Sequence, residues 1–377
     1  MNIEDIKTQC TGCMACYSVC SQKCISITTD NEGFYYPMID KKRCVGCHKC
    51  EMVCHCFGQK PLSNFRRSFY GCSKDNSVLN KSTSGGAFYH LAERTVEHGG
   101  KVYGAFFDCN KRILQHVDAE DVGIDALLKS KYVESNMGNT IADIQNNLAK
   151  GKIVLFCGTP CQAGGVRKTI PNNKNLLIVD FVCHGIPSAI LFKEHLAHLC
   201  KNSDLINIDF RPKTKGWENK YLYLKTKRNT KYIPFYLDSY YSGFMEYNAF
   251  LRQSCYQCKF RNSHQSDLTI ADFWGFREVN PDMNVKKGMS LIVANTPEGL
   301  RAISEIKESF DLHEIDNKYS TYINNKKDYT SGLILRDRFY KLYYKHGFEY
   351  AANKTYMKNI WKEKIKYTIK HILKYAE

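Results

Sequence analysis

The sequence predicts a small α+β module at the N-terminus, followed by an α/β domain with an open, mixed or parallel sheet, and then a helical tail. Three observations predict it. A cysteine spacing occurs twice before residue 55, strand-length apolar runs alternate with helical stretches after residue 68, and the last segment is rich in Lys, Arg and Tyr. The expected boundaries are 1–62 for the module, 68–330 for the α/β domain and 331–377 for the tail. A chain of 377 residues is long enough for such a division.

The module comes first. Cys10, Cys13, Cys16 and Cys20 follow a C-x2-C-x2-C-x3-C pattern, and Cys44, Cys47, Cys50 and Cys54 repeat it. Three cysteines at successive x2 intervals wrap one corner of a 4Fe-4S cube, and the fourth ligates the other cluster of a two-cluster ferredoxin. The expected ligand sets are therefore Cys10, Cys13, Cys16 and Cys54 for one cluster, and Cys44, Cys47, Cys50 and Cys20 for the second. Zinc sites use paired C-x2-C knuckles and need no third cysteine at the same interval, so the repeat points to iron and sulfide. Between the runs, 25–29 and 34–39 read as short strands around the turn at Asp30-Asn31-Glu32-Gly33. The proline that usually follows each fourth cysteine is absent, with Ser21 and His55 in its place. Cys24 and Cys56 lie outside the pattern and read as small packing residues beside the clusters.

The α/β domain follows. Residues 87–98 read as a helix stopped by Gly99-Gly100 and lead to a strand at 101–107. Residues 141–150 read as a helix ended by Gly151 and lead to a buried strand at 153–157. A further buried strand at 176–182 precedes a helix at 190–200. The loops that follow such strands are where ligands sit in open α/β sheets. Ser82-Thr83-Ser84-Gly85-Gly86 precedes a helix and suits either a phosphate or a simple N-cap. Gly158-Thr159-Pro160-Cys161-Gln162 and Cys183-His184-Gly185-Ile186-Pro187-Ser188 follow two of the strands, and Cys255-x2-Cys258 precedes Asp272-Phe273-Trp274-Gly275. Cys161, Cys183, Cys255 and Cys258 form a candidate set for a third cluster or a zinc ion. Cys183 and His184 are adjacent and so do not make a nucleophile–base pair. Cys157 ends a buried strand and reads as packing, and Cys72, Cys109 and Cys200 read as structural.

These stretches, with Ser84-Gly85-Gly86-Ala87 and Ser130-Lys131-Tyr132-Val133, occur in the order found in the coenzyme F-420 hydrogenase/dehydrogenase beta subunit family, which the chain resembles from about Phe69 to Ile292. The resemblance implies a flavoprotein that passes electrons between iron–sulfur clusters, a bound FAD and a third partner, which is a deazaflavin coenzyme in archaeal members and a chlorophyll derivative in plant relatives. It further implies that Ser84, Gly85, Gly86, Lys131, Thr159, Pro160 and Gln162 contact the flavin or its phosphates, and that Cys161, Cys183, Cys255 and Cys258 hold a cluster beside it. The fused ferredoxin module resembles bacterial members, some of them associated with surface-polysaccharide pathways.

The tail carries Trp361, Ile365, Ile369, Ile372 and Ala376 at helical spacing with lysines between them. That is a basic amphipathic helix, which either packs on its own protein or touches an anionic membrane or acidic partner. Eighteen cysteines exceed what a reduced protein uses for packing, and a disulfide framework suits a short secreted chain. The N-terminus has no basic and apolar leader, so the expected location is the cytoplasm.

The expected function is a flavin-dependent iron–sulfur oxidoreductase served by a redox partner protein or low-potential electron donor and acting on a small organic molecule. One alternative is a non-catalytic electron-transfer subunit of a larger redox complex. Another, suggested by the formal net charge of +16, is a zinc-stabilised nucleic-acid-binding protein, which the cysteine spacing opposes. No nucleic acid is therefore expected as a partner.

Overall fold

Asp30 folds the first hairpin: its carboxylate accepts hydrogen bonds from the backbone N–H groups of Glu32 and Phe34, both at 3.0 Å. The hairpin joins β1 (Ile25–Thr29) to β2 (Tyr35–Ile39) in antiparallel register, with Thr29 opposite Tyr35. Each cysteine run leads into a one-turn helix, Ala15–Ser18 and Lys49–Met52, that starts after a residue in the left-handed region, Met14 at φ 59° and His48 at φ 57°. The internal repeat of the sequence is thus a structural repeat. The computed structural model describes residues 3–58, 65–201, 203–323 and 329–358. The expected boundary at 62 and the amphipathic stretch from Trp361 to Ala376 lie outside the described residues.

A nine-stranded mixed sheet carries the second region. Its strands are β3 (Arg67–Ser73), β4 (Lys101–Asp108), β5 (Ile113–Asp118), β6 (Ser135–Asn136), β7 (Val154–Gly158), β8 (Leu176–Phe181), β12 (Leu268–Asp272), β13 (Ser290–Ala294) and β14 (Phe310–Ile315). They lie in the order β14-β3-β13-β12-β8-β7-β4-β5-β6. The centre is parallel, through β12–β8, β8–β7 and β7–β4, and antiparallel pairs flank it on both sides. The strands and helices read at 101–107, 153–157, 176–182, 87–98, 141–150 and 190–200 are present within a residue or two of those bounds.

Alternation along the central strands sends side chains to two separate cores. Val154, Phe156 and Ile178 pack with Ile141, Ile144, Ala163 and Val166 from the helices Thr140–Ala149 and Pro160–Thr169. Leu155 and Val179 pack on the opposite face with Leu91 and Ala92 of the helix Ala87–Glu97. Cys13, Met14 and Ala15 belong to the first of these cores, so the cysteine-rich module is packed onto that face of the sheet. A three-stranded antiparallel sheet of β9 (Leu205–Asp209), β10 (Tyr221–Thr226) and β11 (Thr230–Pro234) was not anticipated from sequence. Leu222 and Leu224 of β10 are buried in a third, aromatic-rich core. Helices Thr330–His346 and Phe348–Thr355 close the same core through Phe339, Phe348 and Ala352. The described part of the tail therefore packs on its own protein. Among the described residues no helix is long and apolar enough to cross a membrane.

Candidate metal centres and redox site

Cys10, Cys13, Cys16 and Cys54 line one cavity, together with Thr11, His55 and the apolar side chains of Ile3, Ile6 and Ile27. Three of these cysteines come from the first run and one from the end of the second, as the spacing requires. Burial pushes the Cys13 thiol up to about 12, with the neighbouring Cys10 and Cys54 adding to the effect. Without a metal, thiolates at such a site are disfavoured; a metal that binds thiolate reverses this. The partner set is gathered more loosely. The Cys24 thiol lies against both Cys20 and Cys44, with a Cys20–Cys24 sulfur separation of 3.3 Å, and Cys16, Cys20 and Cys50 pack in the same small apolar cluster. Cys44 and Cys47 are exposed.

A second cavity gathers the other four candidates. Cys161 comes from the helix that follows β7, Cys183 from the loop after β8, and Cys255 and Cys258 from the segment before β12, and all four line it with Thr11, Ser254, Phe260 and His264. Burial raises every one of the four thiols, Cys161 to about 11. Cys255 Sγ accepts the backbone N–H of Ile186 at 3.3 Å. Among the described residues no three His, Cys, Asp or Glu side chains converge closely enough for a single metal ion. Thr11 lines both cavities, and the ring of His55 from the first stands edge-on to Phe260 of the second at 4.7 Å.

Arg252 and Glu134 join the module to the sheet domain. Arg252 is fully buried, its Nη1 lies 2.5 Å from Glu134 Oε1, and its Nε donates to the Cys10 carbonyl at 2.6 Å. The pair also grips Tyr35: Glu134 accepts its N–H at 3.1 Å and Arg252 Nη2 donates to its carbonyl at 2.7 Å. Arg252 Nη2 further reaches the Cys10 sulfur at 3.5 Å. Burial pushes the Glu134 carboxyl up, and the guanidinium opposes that shift. Sequence reading missed both residues. Glu134 follows the Ser130–Val133 stretch directly and Arg252 stands three residues before Cys255, but no local pattern links them.

The candidate flavin contacts lie along the edge where the parallel strands end. Ser84 Oγ donates to the Met289 carbonyl at 2.6 Å and Gly85 N–H to Ser290 Oγ at 2.9 Å, so the loop is sewn to the start of β13. A Cβ on Gly85 would sit 2.4 Å from the Gly71 carbonyl, which explains the glycine by packing. Gly86, at φ 92°, starts the helix Ala87–Glu97. Ser130 N–H donates to Thr83 Oγ1 at 2.7 Å and brings Lys131 beside this loop. The Lys131 ammonium is half-buried against the carbonyls of Leu127 and Leu128, and its desolvation there lowers its pKa to about 7. Lys213 is held similarly by the carbonyls of Leu79 and Ser84, and burial lowers it to about 7 as well. Thr159 and Gln162 form a capping box around Pro160 and Cys161, with Thr159 N–H donating to Gln162 Oε1 at 3.0 Å. Their side chains are thus committed to the helix end.

Beside this edge, Asp272 is hydrogen-bonded by Arg211 and, at 3.2 Å, by Trp217 Nε1; Trp217 stacks on the exposed Trp274 at 4.4 Å. Cys24 and Cys200 are buried, and Cys72, Cys109 and Cys157 pack against apolar clusters, in line with their reading as structural.

Residues 9–57 match the 4Fe-4S dicluster domain, and residues 151–318 match the C terminus of the coenzyme F-420 hydrogenase/dehydrogenase beta subunit. No match was found among curated proteins. Among solved structures, the chain is similar to one from the xenon-derivatised F-420-reducing NiFe hydrogenase complex of Methanosarcina barkeri. That likeness has 16% identity and a TM-score of 0.45, and covers 78% of this chain and 91% of the other. The chain thus joins a segment that matches the 4Fe-4S dicluster domain to one that is similar, over residues 151–318, to the C terminus of the coenzyme F-420 hydrogenase/dehydrogenase beta subunit.

Proposed function

We propose that the protein is an iron–sulfur flavoprotein oxidoreductase in which electrons pass from the dicluster module, through a third cluster held by Cys161, Cys183, Cys255 and Cys258, to FAD and a small organic molecule. The observation that carries this reading is the second cysteine cavity, built from three distant stretches of chain and sharing Thr11 with the first. The ligand sets for the two module clusters follow the cysteine repeat: Cys10, Cys13, Cys16 and Cys54 for the inner one, and Cys44, Cys47, Cys50 and Cys20 for the outer one.

A bound flavin would exchange single electrons with the clusters and a hydride with the organic molecule. The residues proposed to hold it are Ser84, Gly85, Gly86, Lys131, Thr159, Pro160 and Gln162. Because the hydroxyls and the amide are already engaged, their contribution is through backbone groups and shape. The half-buried Lys131 and Lys213 ammonium groups, solvated by carbonyls alone in the contacts described, suit the charge of a phosphate. The outer cluster is the proposed contact point for a redox partner, because Lys41, Lys42, Arg43 and Lys49 are exposed around Cys44 and Cys47 and favour an acidic one.

Anaerobic purification with iron and flavin counts tests this reading. The expected result is about twelve irons per chain, falling to about eight when Cys255 and Cys258 are replaced by Ser, with one FAD retained. Clusters without flavin would favour a relay subunit that performs no chemistry of its own. Iron that does not fall in the double variant would reduce Cys255 and Cys258 to structural residues.

A further inference from the structure

His264 is a metal-ligand candidate that the four cysteines do not account for. It is buried and lines the same cavity as Cys161, Cys183, Cys255 and Cys258. Its Nδ1 lies 2.9 Å from Asp180 Oδ2, at the end of β8, and Asp180 is wholly buried. The other carboxylate oxygen accepts from Thr269 Oγ1 at 2.7 Å, and Asn295 Nδ2 donates to that hydroxyl at 2.9 Å. Thr269 stands directly opposite Asp180 in the β8–β12 ladder, so the carboxylate is fixed by the sheet itself.

A carboxylate accepts and does not donate, so the proton of the neutral imidazole belongs on Nδ1, and the lone pair remains on Nε2. Nε2 is buried and has no hydrogen-bond partner among the described residues. Ser254 Oγ, which lines the same cavity, is also buried without one. Two orphan polar atoms on a wall of four thiols call for a polar occupant that accepts a nitrogen lone pair. An imidazole that gives its Nδ1 proton to a carboxylate while Nε2 binds a metal is the usual arrangement of a ligating histidine.

We propose that His264 Nε2 is a ligand of the metal cluster in this cavity, held in place by Asp180. The proposal rests on the third-cluster reading above. Five donors then surround a four-iron cubane, so one of the four thiols is surplus. Substitution of a thiolate by a neutral imidazole makes an iron–sulfur cluster easier to reduce.

The test uses the intact, cluster-loaded protein with isotopically labelled histidine, reduced and observed by pulsed electron paramagnetic resonance. A nitrogen coupling of directly bonded strength is expected, and it should vanish in His264→Ala, which separates it from any signal of His55 at the inner cavity. His264→Cys guards against a variant that fails to fold. It should keep its iron, lose the coupling, and make this cluster at least tenfold harder to reduce, a shift of about 59 mV for one electron. Single Cys→Ala changes should leave iron intact at one of the four thiol positions and lower it at the other three. About twelve irons with no bonded nitrogen, or a potential unmoved in His264→Cys, would overturn this proposal alone. About eight irons in the unsubstituted protein would overturn it together with the third cluster.

Discussion

The two cysteine runs share one spacing and one backbone, yet they live in opposite surroundings. Gly12 and Gly46 occupy the same place in the repeat, at φ 70° and 67°. A Cβ on Gly12 would meet Glu134 Oε1 at 2.8 Å and Arg252 Nη1 at 3.0 Å, whereas a Cβ on Gly46 would meet nothing within 4 Å. Met14 is buried where His48 is exposed, and Ala15 is buried where Lys49 is exposed. Local ligand geometry is thus dictated by the cluster, while the residues between the cysteines are free to decide what the cluster faces. The inner run faces the protein and leads toward the second cavity. The outer run faces solvent.

If that asymmetry is built by Arg252, its loss should have the largest effect. Arg252→Met leaves Glu134 buried without its cation and strips the Cys10 and Tyr35 carbonyls of their donors. Breaking a buried pair from one side costs about 3–5 kcal/mol, readable as a drop in the anaerobic denaturation midpoint at constant slope. Adding Glu134→Gln should restore part of the loss, since the stranded charge is then gone. A single-variant change below about 1 kcal/mol would mean that the clamp does not hold the module to the sheet.

The glycine pair gives a sharper and smaller contrast. Alanine at either position bears the cost of a left-handed backbone, about 1–2 kcal/mol. Only Gly12→Ala must also displace the Arg252–Glu134 pair, which adds roughly 1–3 kcal/mol by overpacking. Parallel thermal unfolding of the two variants therefore measures the asymmetry directly. Equal losses would place the inner run in a looser setting than the structure gives it.

What could be read in advance follows from range. The cysteine runs and the apolar strands at 153–157 and 176–182 are local patterns, because a cluster and a buried strand both impose short, fixed spacings. Thr159-x-x-Gln162 also carries the local signature of a capping box, and the structure shows that both side chains serve the helix end. The pairing of Arg252 with Glu134, or of His264 with Asp180, spans a long stretch of chain and leaves no period to detect. The three-stranded sheet was legible in principle, since β10 alternates buried and exposed residues, but its edge strand β9 shows little of that pattern. Lys131 illustrates a further limit: the family resemblance selects it, yet only the fold reveals that three backbone carbonyls already solvate it.

The outer run supplies the smallest effect on stability and the clearest on function. Lys42 and Lys49 are exposed beside Cys44 and Cys47, and replacing both by Glu should change folding stability by no more than about 0.5 kcal/mol. The rate at which the clusters accept electrons from an acidic donor protein should fall about tenfold at low ionic strength, because steering toward the exposed cluster is reversed. At roughly 1 M salt the screening length is about 3 Å, and the two rates should converge. Lys307→Glu changes one exposed charge after the helix Pro297–Ser304, on the sheet face away from Cys13, and should leave the rate unaltered. A rate that responds to Lys307 as strongly as to Lys42 and Lys49 would show that net charge alone governs the encounter. The exposed surroundings of the second cysteine run would then have no part in choosing the partner.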